Sequence, residues 1–482
     1  MIETLIGGDR PYRYSALRGQ FIAADRKLST LPIDWVASSI GNWHLYRHPD
    51  SYLQEIHVQG SQVGWLVGIA WDGSKLIESA IASASEEALL QKLDDLGGMF
   101  AAVCPGRFVR HDAMGQQSIV FSTDSKAVAT NPLLIKAACG SELDQELVTL
   151  MNIPNEDRWY PFGLTPVQGV RRLLPNHRLN LKDWQPVRYW PLPDDFEVRD
   201  MELGEAVEIT RRRVKDGIQA LASRYPLQMG LTAGHDSRLI LACSRPYIDR
   251  MITATNIMHP KTGKIDHIVA RKLSRTVGVP HEIRKPRKAS NDEKLDFIDQ
   301  TGLSAAGARF HHIALMNAFD ETRAFLYGHG GEMLRGFYFN RFGTSDLSSP
   351  ARLDSSRALG LAKAPDHHRL RTSFESWQAS LPEMRLRHLL SIFYHEQRLG
   401  CWAASLHMSG ICTARTVWVF AHRDFARLSL RLSPDVQRSS SVLKEVIRLE
   451  WPELLRVPFN HIPPPVWRRV AGGLKRLVAR DG

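Results

Sequence analysis

Large apolar residues take alternate positions in "VGWLVGIAW", residues 63–71. Val63, Trp65, Val67, Ile69 and Trp71 share one face, and Gly64, Gly68 and Ala70 share the other. A period of two built from β-branched and aromatic residues predicts a strand. A helix is expected next, over about 86–95, with Ser85 as N-cap and Glu86 and Glu87 in its first turn. "GGMFAAV" and "SIVFSTD" then predict further short strands. The stretch "RLLPNHRLNLKDWQPVRYWPLPDD" is dense in proline and turn residues, which places a domain boundary near Pro193. Residues 1–193 are therefore expected to be one strand-rich domain and 194–482 another.

Past residue 200 the rhythm changes. A basic amphipathic helix is expected from Ala206 to Ser223, followed by the apolar run "LQMGLT". "DSRLILACS" predicts a helix and "RMITATNI" a strand. "DHIVARKLSRTVG" predicts a second helix, with Ile268, Val269, Leu273 and Val277 apolar and Gly278 closing it. Buried strands alternating with helices predict a parallel, doubly wound sheet. From about 370 onward the pattern is mainly helical.

Length and composition narrow the class. A chain of 482 residues exceeds one small domain. No window holds the roughly 18 apolar residues that a membrane helix needs. The opening "MIETLIGGDRPYRYS" carries Glu3 and no long apolar core, so no secretory signal and a cytoplasmic location are expected. Cys104, Cys139, Cys243, Cys401 and Cys412 are scattered without CxxC spacing, against a disulfide framework or a zinc site. The net charge of +11 is spread along the chain. One concentration lies in the tail "VWRRVAGGLKRLVARDG", where Trp467, Val470, Leu474 and Leu477 oppose Arg468, Lys475 and Arg476. That tail is either a solvated terminal helix or a weak contact for an anionic surface.

Candidate chemistry concentrates in "LTAGHDSR", residues 231–238, between two apolar runs. Thr232, Ala233 and Gly234 are small enough to let backbone approach an anion. The N–H groups of a following helix point at such an anion with the positive end of the helix dipole. Thr232 and Ser237 add hydroxyl donors. Asp236 is a candidate magnesium ligand at phosphate oxygens. Ligands of open α/β sheets bind at the carboxyl ends of strands. The same spacing also suits an ordinary strand-to-helix connection with Asp236 or Ser237 as N-cap.

The stretch resembles the Ser-Gly-Gly-x-Asp-Ser pyrophosphate loop of the asparagine synthetase family, with Thr232, Ala233 and Gly234 at the first three positions and Asp236 and Ser237 matching outright. "TATN" is similar to the strand lining that family's adenine pocket, which brings in Thr255. Asp266, Ala270, Leu273, Gly278 and His281 follow the next helix of the family. "YGHGGEMLRGFYF" resembles its Gly-Glu-Gly-x-Asp-Glu loop through Gly328, Gly330, Gly336 and Tyr338, with Glu332 at the metal-contacting aspartate. Residues 97–135 are similar to the glutaminase-type N-terminal nucleophile domain of the same family.

The resemblance implies an α/β chain: a β-rich, degenerate Ntn-hydrolase-like domain, then an adenine-nucleotide α-hydrolase-like parallel-sheet domain with a helical C-terminal part. It implies an ATP-dependent synthetase that adenylates a small-molecule or peptide carboxylate, releases pyrophosphate and lets an amine capture the product. ATP and Mg2+ would be its cofactors, with Asp236 and Glu332 on the metal. Four departures set this chain apart. Ile2 stands where the family's nucleophilic cysteine follows Met, so glutamine hydrolysis is not expected. His329 replaces a glutamate and is either a base or a loop residue. Ser441 falls at the pyrophosphate-contacting lysine, with Lys444 one turn on as a substitute. "VWVFAHRD" retains only Phe420 of the Arg-x-Pro-Phe-x-Asp stretch. Arg238 would pair with phosphate or with a structural carboxylate. Glu396, Arg398 and Trp402 would wall the acceptor site or form a helix contact around a buried ion pair. The other readings are a catalytically degenerate nucleotide- or partner-binding paralogue and an RNA-modifying ATP pyrophosphatase. The front half and the lack of sulfur-transfer cysteines weigh against the second of these.

Overall fold

Two sheets, antiparallel except for the parallel pair Leu53–Val58 and Ile81–Ser83, stack face to face in the front half. One runs Val170–Arg172, Val120–Ser122, Ala127–Ala129, Phe21–Ala24, Trp43–Arg47, Val36–Ile40. The other runs Gln185–Arg188, His177–Asn180, Phe108–His111, Gly97–Cys104, Ser61–Asp72, Leu53–Val58, Ile81–Ser83, with Lys75–Leu76 paired to Ser61–Asp72. The computed structural model describes residues 11–461 apart from 154, 197–198, 258–259, 286, 305–318 and 344–345, with backbone alone at 260–262. Ile2 and the basic tail from Trp467 to Arg476 lie outside the described residues.

Phe21, Trp43, Trp65, Val67, Val103 and Phe121 fill the space between the two sheets. Helix Glu86–Asp95 covers the outside of one sheet through Leu89 and Leu93. Helix Pro132–Cys139 covers the outside of the other. Ser85 caps the first of these helices by accepting from the Ala88 amide. The alternation of residues 63–71 holds with one correction. Gln62 pairs with His57 and Gly64 with Ile56, so Val63 is an extra residue. That bulge turns Val63 to the face of Leu66 and Ala70, away from Trp65. Gly68, at φ +120°, lies so close to the neighbouring strand that a Cβ would sit 2.3 Å from the Met99 carbonyl oxygen.

The second half is a parallel sheet wrapped by helices. Its strands, numbered within this sheet, are β1 (Leu227–Gly230), β2 (Met251–Asn256), β3 (His281–Arg284), β4 (Ala324–Tyr327) and β5 (Arg415–Trp418). They lie in the order β3-β2-β1-β4-β5, every pairing parallel. Helices α1 (Leu203–Ala222), α2 (His235–Cys243), α3 (Pro260–Val277), α4 (Asn291–Thr301) and, later, α5 (Ser441–Glu450) belong to this half. The strand β5 interrupts the stretch read as mainly helical. Its sequence "RTVW" is short and half apolar, and it becomes a strand because β4 offers it a parallel edge. Pro193 lies in a short 3-10 turn, Pro193–Phe196, between the last antiparallel strand and α1.

The two halves meet at a polar joint. Its centre is the long helix of residues 386–413, which passes through a π-helical stretch, Tyr394–Ala403. Glu396 in that stretch is fully buried. It accepts from Arg188 (2.5 and 2.9 Å), Asn176 (2.9 Å) and the Trp377 indole (2.7 Å). Burial alone would raise its carboxyl, but these partners, Arg188 first, bring it down to about 2. Glu396 is therefore the buried ion pair between elements and not an acceptor wall. Beside it Arg423 donates to Asn176 (2.7 Å), Asp94 (3.0 Å) and Tyr189 (2.8 Å).

Among the described residues no helix is long and apolar enough to cross a membrane.

Candidate functional site

A cleft of ≈ 360 Å³ opens at the carboxyl ends of β1 and β4. The strand order reverses between these two neighbours, so the loops leaving them diverge to opposite faces and leave a crevice. Thr232, Asp236 and Ser237 line it from one loop, and Gly328, His329 and Glu332 from the other. Ala254 and Asn256 of β2, Asp266 of α3, and Trp402, Leu406 and His407 of the long helix complete the wall.

The loop after β1 is held by its own hydroxyls. Thr232 donates its amide to Ser237 Oγ (3.1 Å), the two hydroxyls lie 2.9 Å apart, and the Gly234 amide donates to Thr232 Oγ1 (3.2 Å). Gly234, not Asp236 or Ser237, is the N-cap of α2, and no side chain caps that helix. The alternative of an ordinary capped connection is thus not what the chain builds. The Ala233 amide is already committed to Asp266 Oδ1 (2.8 Å). Ala233 serves as spacing, buried under residues 457–460. The Asn460 amide donates to its carbonyl at 3.0 Å.

Arg238 pairs with no carboxylate among the described residues, and its donors are spent on carbonyls away from the cleft wall. It donates to the carbonyls of Leu454 (3.2 Å), Val457, Pro458 (3.0 Å) and Ala233 (3.4 Å). Its guanidinium also lies 3.7 Å from the centroid of Phe459. Phe459 stacks on His235 as well, 4.1 Å between centroids. Burial, then Arg335, Lys444 and Arg238, push His235 down to about 4. Arg335 and Arg238 thus lie beside the start of α2, and Lys444 acts on it only from outside the cleft.

Asp236 and Glu332, which the resemblance would put on one metal ion, both face a guanidinium that stands between them. Arg335 Nη2 is 2.6 Å from Asp236 Oδ2 and 3.9 Å from Glu332 Oε1. The other Glu332 oxygen accepts from the Tyr394 hydroxyl at 3.1 Å. Asp236 Oδ1 is buried with no hydrogen-bond partner. Burial pushes the Asp236 carboxyl up to about 7, against the pull of Arg335 and with Glu332 adding to the rise. This pair does not fit a divalent ion as the chain is folded. Among the described residues no group of three or more His, Cys, Asp and Glu side chains is placed to hold a metal.

The remaining candidates divide. Thr255 is buried and turned away from the cleft, its hydroxyl donating to the Leu231 carbonyl (2.6 Å). Its neighbour Asn256 reaches the cleft, with a buried Oδ1 that has no partner. Gly330, at φ +95°, is a turn residue whose absent side chain makes room for Phe420, 3.0 Å from a Cβ placed there. His329 lines the cleft with its ring stacked on Tyr327 (5.2 Å) and tilted against Trp418 (5.2 Å). Lys444 is not in the cleft wall. It is exposed on α5 and donates to the Ser439 carbonyl at 2.7 Å. Trp402 does wall the cleft, and Arg398 lies over its ring at 3.7 Å.

Arg335, Tyr394 and the 457–460 strap were not singled out from the sequence. Arg335 carried a signal, since it stands three residues after Glu332, where one turn of helix brings side chains together. Tyr394 and the strap carried none, because they reach the site across 62 residues and more than 200.

No family model matches this chain, and no curated protein matches it. Among solved structures, it is similar to a glutamine-dependent NAD+ synthetase from Acinetobacter baumannii in complex with adenosine diphosphate. The similarity covers 64% of this chain and 68% of that one, at 13% identity and a TM-score of 0.19. A likeness that weak carries no argument for activity or substrate.

Proposed function

We propose that the cleft binds an adenine nucleotide and that the chain is an ATP-dependent carbon–nitrogen ligase. On this reading a substrate carboxylate is activated with loss of pyrophosphate, and an amine captures the activated carbonyl to form an amide. One observation carries it: the uncapped start of α2, with the Thr232 and Ser237 hydroxyls, lies at the crevice where β1 and β4 diverge.

Within this reading the phosphates lie on residues 232–237 and the base lies against Ala254 and Asn256. The partnerless Asn256 Oδ1 suits the exocyclic amine of adenine. Trp402, Leu406 and His407 exclude water from the far side. Glutamine is not the nitrogen source. Among the described residues of the front half, Cys104 is buried and pushed up to about 12 by that burial, and Cys139 is raised too. No step is routed through magnesium.

A second reading, a nucleotide-binding protein without chemistry, is favoured by the packed ring of His329 and by the anchoring of Lys444 away from the cleft. Melting temperature during an ATP titration tests both. Wild type should gain about 2.7 kcal/mol when ATP exceeds its Kd a hundredfold, and Asp236→Ala should gain far less. Pyrophosphate release with a panel of carboxylates and amines then separates ligase from binder. No shift in wild type at millimolar ATP would end the nucleotide reading.

A further inference from the structure

We infer that Arg335 is a resident cation: its guanidinium takes the place between Asp236 and Glu332 where a divalent ion would sit, so the cleft receives phosphate-bearing ligand without one. The ligand half of this inference rests on the nucleotide reading above.

Four features lead there. Arg335 Nη2 contacts Asp236 Oδ2 at 2.6 Å and lies 3.9 Å from Glu332 Oε1, so the guanidinium is the shared neighbour of both carboxylates. The remaining oxygens are confined around that guanidinium. Glu332 Oε2 takes the Tyr394 hydroxyl, and Asp236 Oδ1 is buried beside Gly331 without a partner. Magnesium requires near-octahedral oxygen at about 2.0–2.1 Å and keeps several waters, which a guanidinium in van der Waals contact prevents. Finally, Arg335 has donors left over: its Nε–H is buried without a partner, and the side chain is 25% exposed.

The chemistry is suited to the exchange. Arginine stays charged at any working pH and presents five N–H donors in a plane that matches phosphate oxygens. It offsets one of the two carboxylate charges and, being partly exposed, keeps part of its guanidinium accessible to an anion. It cannot supply a metal-bound water, so the site is specialised for holding and polarising a phosphate chain. The turn Gly331–Arg335 makes this possible, because three residues per 3-10 turn stack Arg335 over Glu332.

The test uses the full-length protein and Mn2+ alone, followed by calorimetry and electron spin resonance at pH 8 without nucleotide. Wild type should take up no ion in the cleft. Arg335→Met should bind Mn2+ about tenfold tighter or more than wild type, and adding Asp236→Asn should abolish the gain. Arg335→Lys, which keeps one positive charge, should remain metal-blind. Arg335→Gln repeats the test if Arg335→Met does not fold. The ATP-induced melting shift of wild type should be the same in EDTA as in magnesium. Mn2+ binding by wild type as tight as by Arg335→Met overturns the inference, and so does an ATP shift that requires magnesium. The second outcome leaves the nucleotide reading standing. An absent ATP shift in both buffers removes the nucleotide reading and the ligand half with it, while the Mn2+ comparison still decides whether Arg335 excludes the metal.

Discussion

Glu396, fully buried, and Asp236, only partly buried at the cleft, are carboxylates in the same half of the molecule, and each faces an arginine. Glu396, at the joint between the halves, has both oxygens filled by Arg188, Asn176 and Trp377. Asp236, in the cleft, has one oxygen on Arg335 and one with no partner. Their acidities move in opposite directions as a result, Glu396 down to about 2 and Asp236 up to about 7. A buried charge with every lone pair satisfied holds structure together. A buried charge left partly unsatisfied destabilises the folded state and persists where something else uses it. The same residue chemistry thus separates a structural joint from a candidate binding cleft.

The largest expected effect tests the joint. Glu396→Ala leaves Arg188 buried without its partner and should cost about 3–5 kcal/mol in urea denaturation. Asp236→Asn removes a charge that the fold holds at a loss, so it should not destabilise the protein by more than about 1 kcal/mol and should stabilise it at high pH. Equal destabilisation by the two variants would erase the distinction between joint and cleft.

The pH dependence sharpens the contrast. Glu396 titrates in the native state at about 2, below its ordinary 4.5. Its contribution is therefore full above 4.5 and is lost as pH falls toward 2. Asp236 titrates at about 7, above its ordinary 3.8, so the native state holds the extra proton between those values. Stability then declines as pH rises through that window. Melting temperatures of wild type and Asp236→Asn from pH 3 to 8 should differ most above pH 7, with the variant flatter. Parallel curves would mean that Asp236 is not the titrating group.

The smallest effect concerns Lys444. Its ammonium tethers the Ser439 carbonyl at an exposed position, so Lys444→Ala should shift stability by less than about 0.5 kcal/mol and leave the ATP-induced melting shift unchanged. A loss of that shift would return Lys444 to the cleft and narrow the difference between the regions.

How much could be read in advance follows the range of the interaction. The Ser85 cap, the strand of residues 61–72 and the loop "LTAGHDSR" depend on neighbours a few residues away, and their signals are local. The Val63 bulge was hidden because it exists only against Ile56 and His57 of the adjacent strand. Thr255 was expected at the cleft and Asn256 is the residue that reaches it, a one-residue error that period two converts into the opposite face. The sequence leaves Arg238 between phosphate and carboxylate, and the four carbonyls it binds include three from residues 454–458, more than 200 positions later.

By itself the sequence determined the alternation of strands and helices, the small residues after β1 and the presence of Asp236, Glu332 and Glu396. Those are properties of spacing and side-chain type, set by short-range sterics and hydrogen bonding. Only the tertiary structure decided which arginine each carboxylate meets and how completely. A carboxylate becomes acidic or basic, filled or open, through groups that share its low-dielectric surroundings, and folding draws those groups from 19 to 220 positions away in the case of Glu396.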